Sequence, residues 1–101
     1  MEANEVTVNG MLLTKERLNL LFTANHMPEH MEEGLYLYLT YRVKPGSFML
    51  AILCNDLIGA AEKADSINRA ALFKWAKFLC NFLPTACYGN EEKVTNWLKG
   101  E

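Results

Sequence analysis

The chain has 101 residues, of which half are hydrophobic and 22% are charged, and this composition is typical of one small globular domain. Ten basic and twelve acidic residues give a net charge of -2, without the clustered positive charge that general nucleic-acid binders use to neutralise phosphates. Three cysteines without CxxC spacing argue against a disulfide scaffold and for a reducing compartment. No apolar run reaches the roughly 18 residues of a membrane-spanning helix, so we expect no membrane association.

The N-terminal segment differs in composition from the rest of the chain. Residues 1–10, "MEANEVTVNG", are acidic and lack the apolar stretch of a signal peptide, so we expect a cytosolic protein. "EVTVNG" alternates like a strand, but one isolated strand is unstable. We therefore predict an extended or flexible tail over residues 1–10 and a single helical domain over residues 11–101.

The first two predicted helices differ in how clearly the sequence marks them. "TKERLNLLFTAN" begins with Thr14 as a cap and is a regular amphipathic segment. "PEHMEEGLYLYLTYRV" contains Leu and Tyr residues with high strand propensity. Its flanks favour a helix, because Pro28 suits a helix start, while acidic residues near the beginning and basic residues near the end complement the helix dipole.

Three further helices complete the predicted fold. "SFMLAILCNDLIGAAEKAD" has apolar residues at helical spacing and predicts one continuous helix. "ADSINRAALFKWAKFLCNFLP" predicts a helix capped by Asp65 and ended by Pro84, and "NEEKVTNWLKG" predicts a last short helix capped by Asn90. The fold class is therefore all-α, a compact bundle of about five short helices with a loose N-terminal tail.

Residues 28–98 carry a set of short motifs in a fixed order. The motifs are "GLYLYL", "PGSF", "LCNDL", "AD" with Asn68 three residues on, "NFLP", "CYG" and the closing Trp97. In their order and spacing they resemble a family of short proteins of tailed bacteriophages, in which a Trp takes the place of Tyr88. The resemblance implies a phage origin, expression in the host bacterial cytoplasm and an accessory role, such as counter-defence or modulation of a host protein.

The junction "RVKPGSF" is a candidate anion contact. Its spacing does not fit a Walker loop or a nucleophile elbow. Arg42 and Lys44 nevertheless lie beside a predicted helix start at Gly46 and Ser47, where Ser47 would act as the cap. Free backbone N–H groups at a helix start bind anions, so these four residues are candidates to bind one phosphate. The alternative is a helix junction with no ligand.

Two polar residues and two aromatic residues complete the predicted binding site. Asn55 and Asp56 lie in the middle of a predicted helix, and Asp56 interrupts its apolar face, so Asp56 needs a protein partner or a ligand. They are candidates to bind the polar edge of a base or ribose, unless they belong to a buried network that fixes helix packing. Tyr88 or Trp75 would stack on the same ligand, although most aromatic residues of such a chain pack in the core.

Two patterns suggest catalysis, and we interpret both as structural. "HMPEH" fits the inverted zinc-peptidase pattern H-x-x-E-H, but Pro28 disturbs the helical spacing of His26 and His30. Cys87 precedes a helix start, which favours a thiolate that could pair with a histidine, but a loop cysteine that packs the connector is the simpler interpretation. We therefore predict no enzyme activity, no cofactor and no metal.

The leading hypothesis is a phage accessory protein that sequesters a phosphorylated or nucleotide-type small signal. The alternatives are an inhibitor that binds a host protein directly and a small hydrolase or metal enzyme that uses His26, Glu29 and His30. The Tyr and Trp residues exceed what a small bundle can bury, and such residues are enriched at interfaces. We therefore expect a homodimer or a higher homo-oligomer.

Overall fold

Apart from a two-stranded hairpin, the regular structure of the described residues is helical. The computed structural model describes residues 4–8 and 10–100. The hairpin is β1 (Thr7–Val8) and β2 (Met11–Leu12), which pair antiparallel, with Thr7 opposite Leu12 and Val8 opposite Met11. The helices are α1 (Lys15–Ala24), α2 (Glu32–Tyr41), α3 (Ser47–Leu53), α4 (Leu57–Lys63), α5 (Ser66–Ala70), α6 (Leu72–Phe82) and α7 (Glu91–Lys99), with short 3₁₀ helices at Glu29–Met31 and Thr85–Cys87.

The all-α fold class is confirmed, but the described residues form seven α-helices instead of about five. None of these helices is long and apolar enough to cross a membrane. The Tyr/Leu run is helical as predicted, although α2 begins at Glu32, because a 3₁₀ turn at Glu29–Met31 follows Pro28. The two additional helices arise where predicted continuous helices are interrupted.

The first interruption lies at Asn55 and Asp56, which we predicted to be in the middle of a helix. Asn55 has a φ of 64°, and the N–H groups of Asn55 and Asp56 bond back to the carbonyls of Ile52 and Ala51. This pattern is a Schellman motif, which ends α3 with a left-handed residue, and Asn adopts that conformation more readily than most residues. The prediction of one continuous helix was wrong because α3 ends in the turn at Asn55 and α4 begins at the cap residue Asp56.

Asp56 begins the next helix. Its Oδ1 accepts a hydrogen bond of 2.9 Å from the Gly59 N–H, so Asp56 is the N-cap of α4. A Cβ on Gly59 would lie 2.1 Å from Oδ2 of Asp56, so the cap fits tightly only against a glycine. The protein partner of Asp56 is therefore the N-terminus of α4.

The second interruption separates α5 from α6 at Ala71. Asp65 caps α5 as predicted, with its Oδ1 accepting a 2.7 Å bond from the Asn68 N–H. The Asn68 side chain is buried, and its Oδ1 accepts a 3.0 Å bond from the indole N–H of Trp75. This polar contact inside the core ties α5 to α6 across the break.

The N-terminal segment packs more closely than predicted. Val6 and Val8 are 3% and 7% exposed, and both the N–H and the side-chain amide of Asn4 donate to the Thr40 carbonyl. The described part of this segment is extended, as expected, but it is not loose, because its alternating valines face the helices. Residues 1–3 and Asn9 of the predicted tail lie outside the described residues.

Candidate functional site

Arg42, which we predicted to bind a phosphate, instead contacts Trp97 of α7. It follows α2 with a φ of 59°, and its Nη1 donates a 2.8 Å hydrogen bond to the Trp97 carbonyl. Its guanidinium carbon lies 3.5 Å from the centre of the Trp97 ring, which is close cation–π geometry. The prediction of Arg42 as a phosphate ligand therefore needs correction, because the side chain joins α2 to α7.

The other three candidate residues of the "RVKPGSF" junction, Lys44, Gly46 and Ser47, do not form an anion site with Arg42. Gly46 is the N-cap of α3, while Ser47 is the first helical residue and makes no side-chain cap, so the prediction of Ser47 as the cap was wrong. The backbone of Gly46 has the extended conformation that the cap position needs. Lys44 is exposed and lines a separate groove between α3 and α7.

Trp75 lies at the centre of the core. It is fully buried and contacts the rings of Phe22, Phe48 and Phe78 edge-on, at centroid distances of 6.0, 6.0 and 6.4 Å. Its indole N–H is bonded to Asn68. Trp75 therefore presents no face to a ligand, and its predicted stacking role is replaced by a packing role.

The structure does bring Asn55, Asp56 and Tyr88 together. They line one cleft of about 250 Å³, which we call the Asn–Asp–Tyr cleft. Gly89 forms part of its wall. The rest of its lining is apolar and comes from α3, α4 and α6, namely Ile52, Leu57, Leu72, Ala76 and Leu79.

Two backbone features hold these side chains in place. The left-handed conformation of Asn55 turns the chain between α3 and α4, and the cap by Asp56 fixes the start of α4. The connector that carries Tyr88 is tied to the end of α3, because the Gly89 N–H donates a 2.8 Å bond to the Leu53 carbonyl. Gly89 has a φ of 123°, a conformation that side chains disfavour.

The cleft has a polar rim of distinct chemistry. Asp56 uses Oδ1 for the cap, its side chain is exposed, and its Oδ2, which lies against Gly59, accepts no hydrogen bond within the described residues. Burial raises the pKa of the Tyr88 hydroxyl, with smaller contributions from the nearby Cys80 and Cys87 thiols. The hydroxyl is therefore a neutral donor and acceptor at physiological pH.

The sequence interpretation missed one cation near this cleft. A Cβ on Gly89 would lie 3.7 Å from the Nζ of Lys93, so the ammonium group stands beside the cleft wall. Lys93 is also the residue whose N–H is capped by Asn90, at 2.8 Å. The sequence signal was the position of Lys93 in the first turn of α7, four residues after Gly89 of the "CYG" motif.

Cys87 and His30, which belong to the two patterns that suggested catalysis, each make a side-chain contact within the fold. Burial raises the pKa of the Cys87 thiol to about 12, and its Sγ donates to the Pro84 carbonyl, so the thiol is protonated and packed. His26 is exposed with a φ of 54°, whereas His30 bonds through Nε2 to Asp65 at 2.9 Å. Within residues 4–8 and 10–100, no group of three His, Cys, Asp or Glu side chains is arranged to hold a metal ion.

Comparison of the chain with protein-family models, with curated proteins and with solved structures gives no match. The cleft is therefore interpreted from its own residues.

Proposed function

We propose that this is a binding protein whose Asn–Asp–Tyr cleft binds the base of a nucleoside or nucleotide. The observation that supports the proposal is the convergence of Asn55 and Asp56, at the α3–α4 junction, with Tyr88, which comes from a distant part of the sequence. Polar groups at the rim of an otherwise apolar cleft are the usual composition of a small-molecule site.

The chemistry of the rim favours a base with a donor edge. A carboxylate only accepts hydrogen bonds, so Oδ2 of Asp56 suits adjacent N–H groups, such as N1–H and the amino group of guanine. The Asn55 amide offers both a donor and an acceptor beside it. The Tyr88 ring gives the flat face of a base a stacking partner, an interaction worth about 1–3 kcal/mol.

The volume of the cleft and the charge beside it restrict the class of ligand further. The cleft volume of about 250 Å³ lies below the range of about 300–1,000 Å³ for most ligand pockets, so it fits one base or nucleoside. A phosphate on such a ligand would extend past Gly89 toward Lys93. This assignment replaces Arg42 and Lys44 as phosphate partners, because Arg42 is bonded to Trp97 and Lys44 lines another groove.

The resemblance to tailed-phage proteins gives this binding a biological setting. A small protein that holds a nucleotide without converting it would lower the free concentration of a host signal. We therefore propose counter-defence by sequestration in the bacterial cytoplasm, with no catalytic step.

Calorimetric titration with guanosine, GMP, adenosine and cytidine tests the proposal. We expect saturable binding that is tightest for the guanine compounds, because only guanine presents two adjacent donors to one carboxylate. Asp56→Asn should weaken binding by about tenfold, since it replaces one acceptor oxygen with a donor while an Asn still caps α4. Lys93→Gln should weaken GMP binding and leave guanosine binding unchanged.

Glu62→Gln is the matched control, because it removes a carboxylate from α4 outside the lining of the cleft. Equal effects of Asp56→Asn and Glu62→Gln would mean that the loss of charge, and not the contact, matters. No heat with any of the four compounds, at concentrations up to about 1 mM, would remove the proposal.

A second candidate function is direct binding to a host protein. Met11, Leu12 and Leu20 are 54%, 48% and 67% exposed, and Met11 and Leu20 border a groove between the hairpin and α1. Exposed apolar patches of this kind mark protein-interaction sites. In this case Leu20→Asp should abolish a stoichiometric complex with a purified host protein, and Asp56→Asn should leave the complex intact.

A further inference from the structure

A second groove, between α3 and α7, has a charge arrangement that suits a particular partner. It has a volume of about 440 Å³ and an apolar floor formed by Leu50, Val94 and Leu98. We call it the α3–α7 groove. It shares no lining residue with the Asn–Asp–Tyr cleft, so the inference below is independent of the proposed function.

Opposite charges stand at the two ends of this groove. Glu91 lies in the first turn of α7, and Lys99 lies in its last turn, eight positions later and roughly 12 Å along the helix axis. Lys44 also lines the groove. Glu91, Thr95 and Lys99 follow one another at intervals of four residues, so they form one exposed ridge beside the apolar floor.

These charges have no ionic partner within the described part of the chain. The one ion pair among residues 4–8 and 10–100 is His30–Asp65, on another part of the surface. Glu91 and Lys99 both complement the dipole of α7, which accounts for their signs but leaves their side chains open to solvent.

We propose that the α3–α7 groove binds a second copy of this chain, with the two α7 helices packed antiparallel about a two-fold axis near Thr95. In this arrangement Glu91 of each copy lies opposite Lys99 of the other, and the ridge of each α7 enters the apolar groove of the other. Lys44, which lines the same groove, adds a second positive charge. A two-fold interface uses the same surface twice, so one surface must carry both charges, as this one does.

Other occupants match the groove less well. A uniformly acidic partner, such as a nucleic acid or an anionic lipid surface, would meet Glu91 at one end. A uniformly basic partner would meet Lys99 at the other. The antiparallel second copy satisfies both ends at once, and it also sets the two helix dipoles in opposite directions.

Sedimentation velocity over about 1 µM to 1 mM protein tests the proposal. We expect a reversible monomer–dimer equilibrium that shifts toward monomer as salt is raised, because exposed charge pairs are screened. Glu91→Lys should weaken the dimer by about tenfold, since the introduced ammonium group of each copy would face the cations of the other. The double variant Lys44→Glu with Lys99→Glu should weaken it similarly.

The decisive measurement is a mixture of these two variants. They carry opposite charge changes, so together they should form a heterodimer that is more stable than the homodimer of either variant. Glu92→Lys is the control, because it makes the same change in the same helical turn outside the groove lining. Circular dichroism checks that each variant folds.

Three results would overturn the proposal. The first is a wild-type chain that stays monomeric at every concentration. The second is a dimer that Glu91→Lys and Glu92→Lys weaken equally, because the effect would then reflect net charge or helix stability. The third is a mixture of the opposite-charge variants that associates no better than either variant alone.

Discussion

The junctions at Arg42 and Asn55 share a backbone conformation and differ in how they use it. Both residues follow a helix with a positive φ, 59° at Arg42 and 64° at Asn55, and both precede a new helix within a few residues. At the first junction the polar side chain reaches across to α7. At the second, the polar side chains line a cleft. The role of a polar helix junction is therefore defined by the partners of its side chains.

The difference has an energetic origin. The Arg42 guanidinium gains a carbonyl acceptor and an aromatic face from Trp97, and these contacts offset the cost of removing a cation from water. Asn55 and Asp56 are exposed, and within the described residues their contacts serve only the local turn and cap. Side chains of this second kind keep hydrogen-bonding capacity for a ligand.

The largest expected effect follows from removing Arg42. Arg42→Ala deletes the bond to the Trp97 carbonyl and the cation–π contact, which together are worth about 3 kcal/mol of unfolding free energy. It also leaves an alanine in a left-handed conformation. Urea unfolding followed by circular dichroism measures the loss.

Two further variants at position 42 separate the loss of the side-chain contacts from the strain of the left-handed backbone. Arg42→Gly should recover about 1 kcal/mol relative to Arg42→Ala, because glycine accepts the positive φ. Arg42→Lys keeps the charge but loses the planar contact with the indole ring, so it should fall between wild type and Arg42→Ala. If Arg42→Ala is as stable as wild type, Arg42 is free to bind a ligand and the comparison fails.

The next effect concerns Cys87, which is the buried neighbour of the cleft residue Tyr88. Burial raises the pKa of Cys87 from 9.0 to about 12. Above pH 9 the unfolded chain loses this proton while the folded chain keeps it, so the stability is intact below pH 9 and falls as the pH rises. The slope is about 1.4 kcal/mol per pH unit while the folded thiol stays protonated.

Urea unfolding at a series of alkaline pH values measures this slope. Burial also raises the pKa of Tyr38, whose hydroxyl donates a 2.7 Å hydrogen bond to the Cys87 carbonyl, so part of the slope belongs to Tyr38. Cys87→Ala should therefore flatten the slope without removing it. A slope that is identical in wild type and Cys87→Ala would show that the thiol titrates normally.

The sequence predicted the fold class well because helical periodicity and capping residues are local signals. Thr14, Asp65 and Asn90 each cap the helix that was predicted for them. The helix breaks were harder to predict, since Asn and Asp occur both inside helices and at their ends. The Schellman motif at Asn55 depends on backbone hydrogen bonds that residue spacing alone does not reveal.

The candidate site was harder to predict than the fold because its contacts are long-range. The link from Arg42 to Trp97 and the burial of Trp75 depend on how distant helices pack. Lys93 was overlooked because its position beside the cleft follows from the path of the connector at Gly89. The chemistry of Asn55, Asp56 and Tyr88 makes them candidates, but only the fold brings them to one cleft, because Tyr88 is more than 30 positions from the other two.

The smallest expected effect on stability, and the sharpest test of the comparison, is at Asn55. Asn55→Gly removes the amide but suits the left-handed φ, so unfolding free energy should change by about 0.5 kcal/mol or less. Asn55→Ala removes the same amide and strains the turn, so it should cost about 1 kcal/mol. If Asn55 contacts a ligand, both variants weaken guanosine binding equally despite their different stabilities. If Asn55→Gly instead binds guanosine like wild type and only Asn55→Ala binds more weakly, then Asn55, like Arg42, has a structural role and does not contact the ligand.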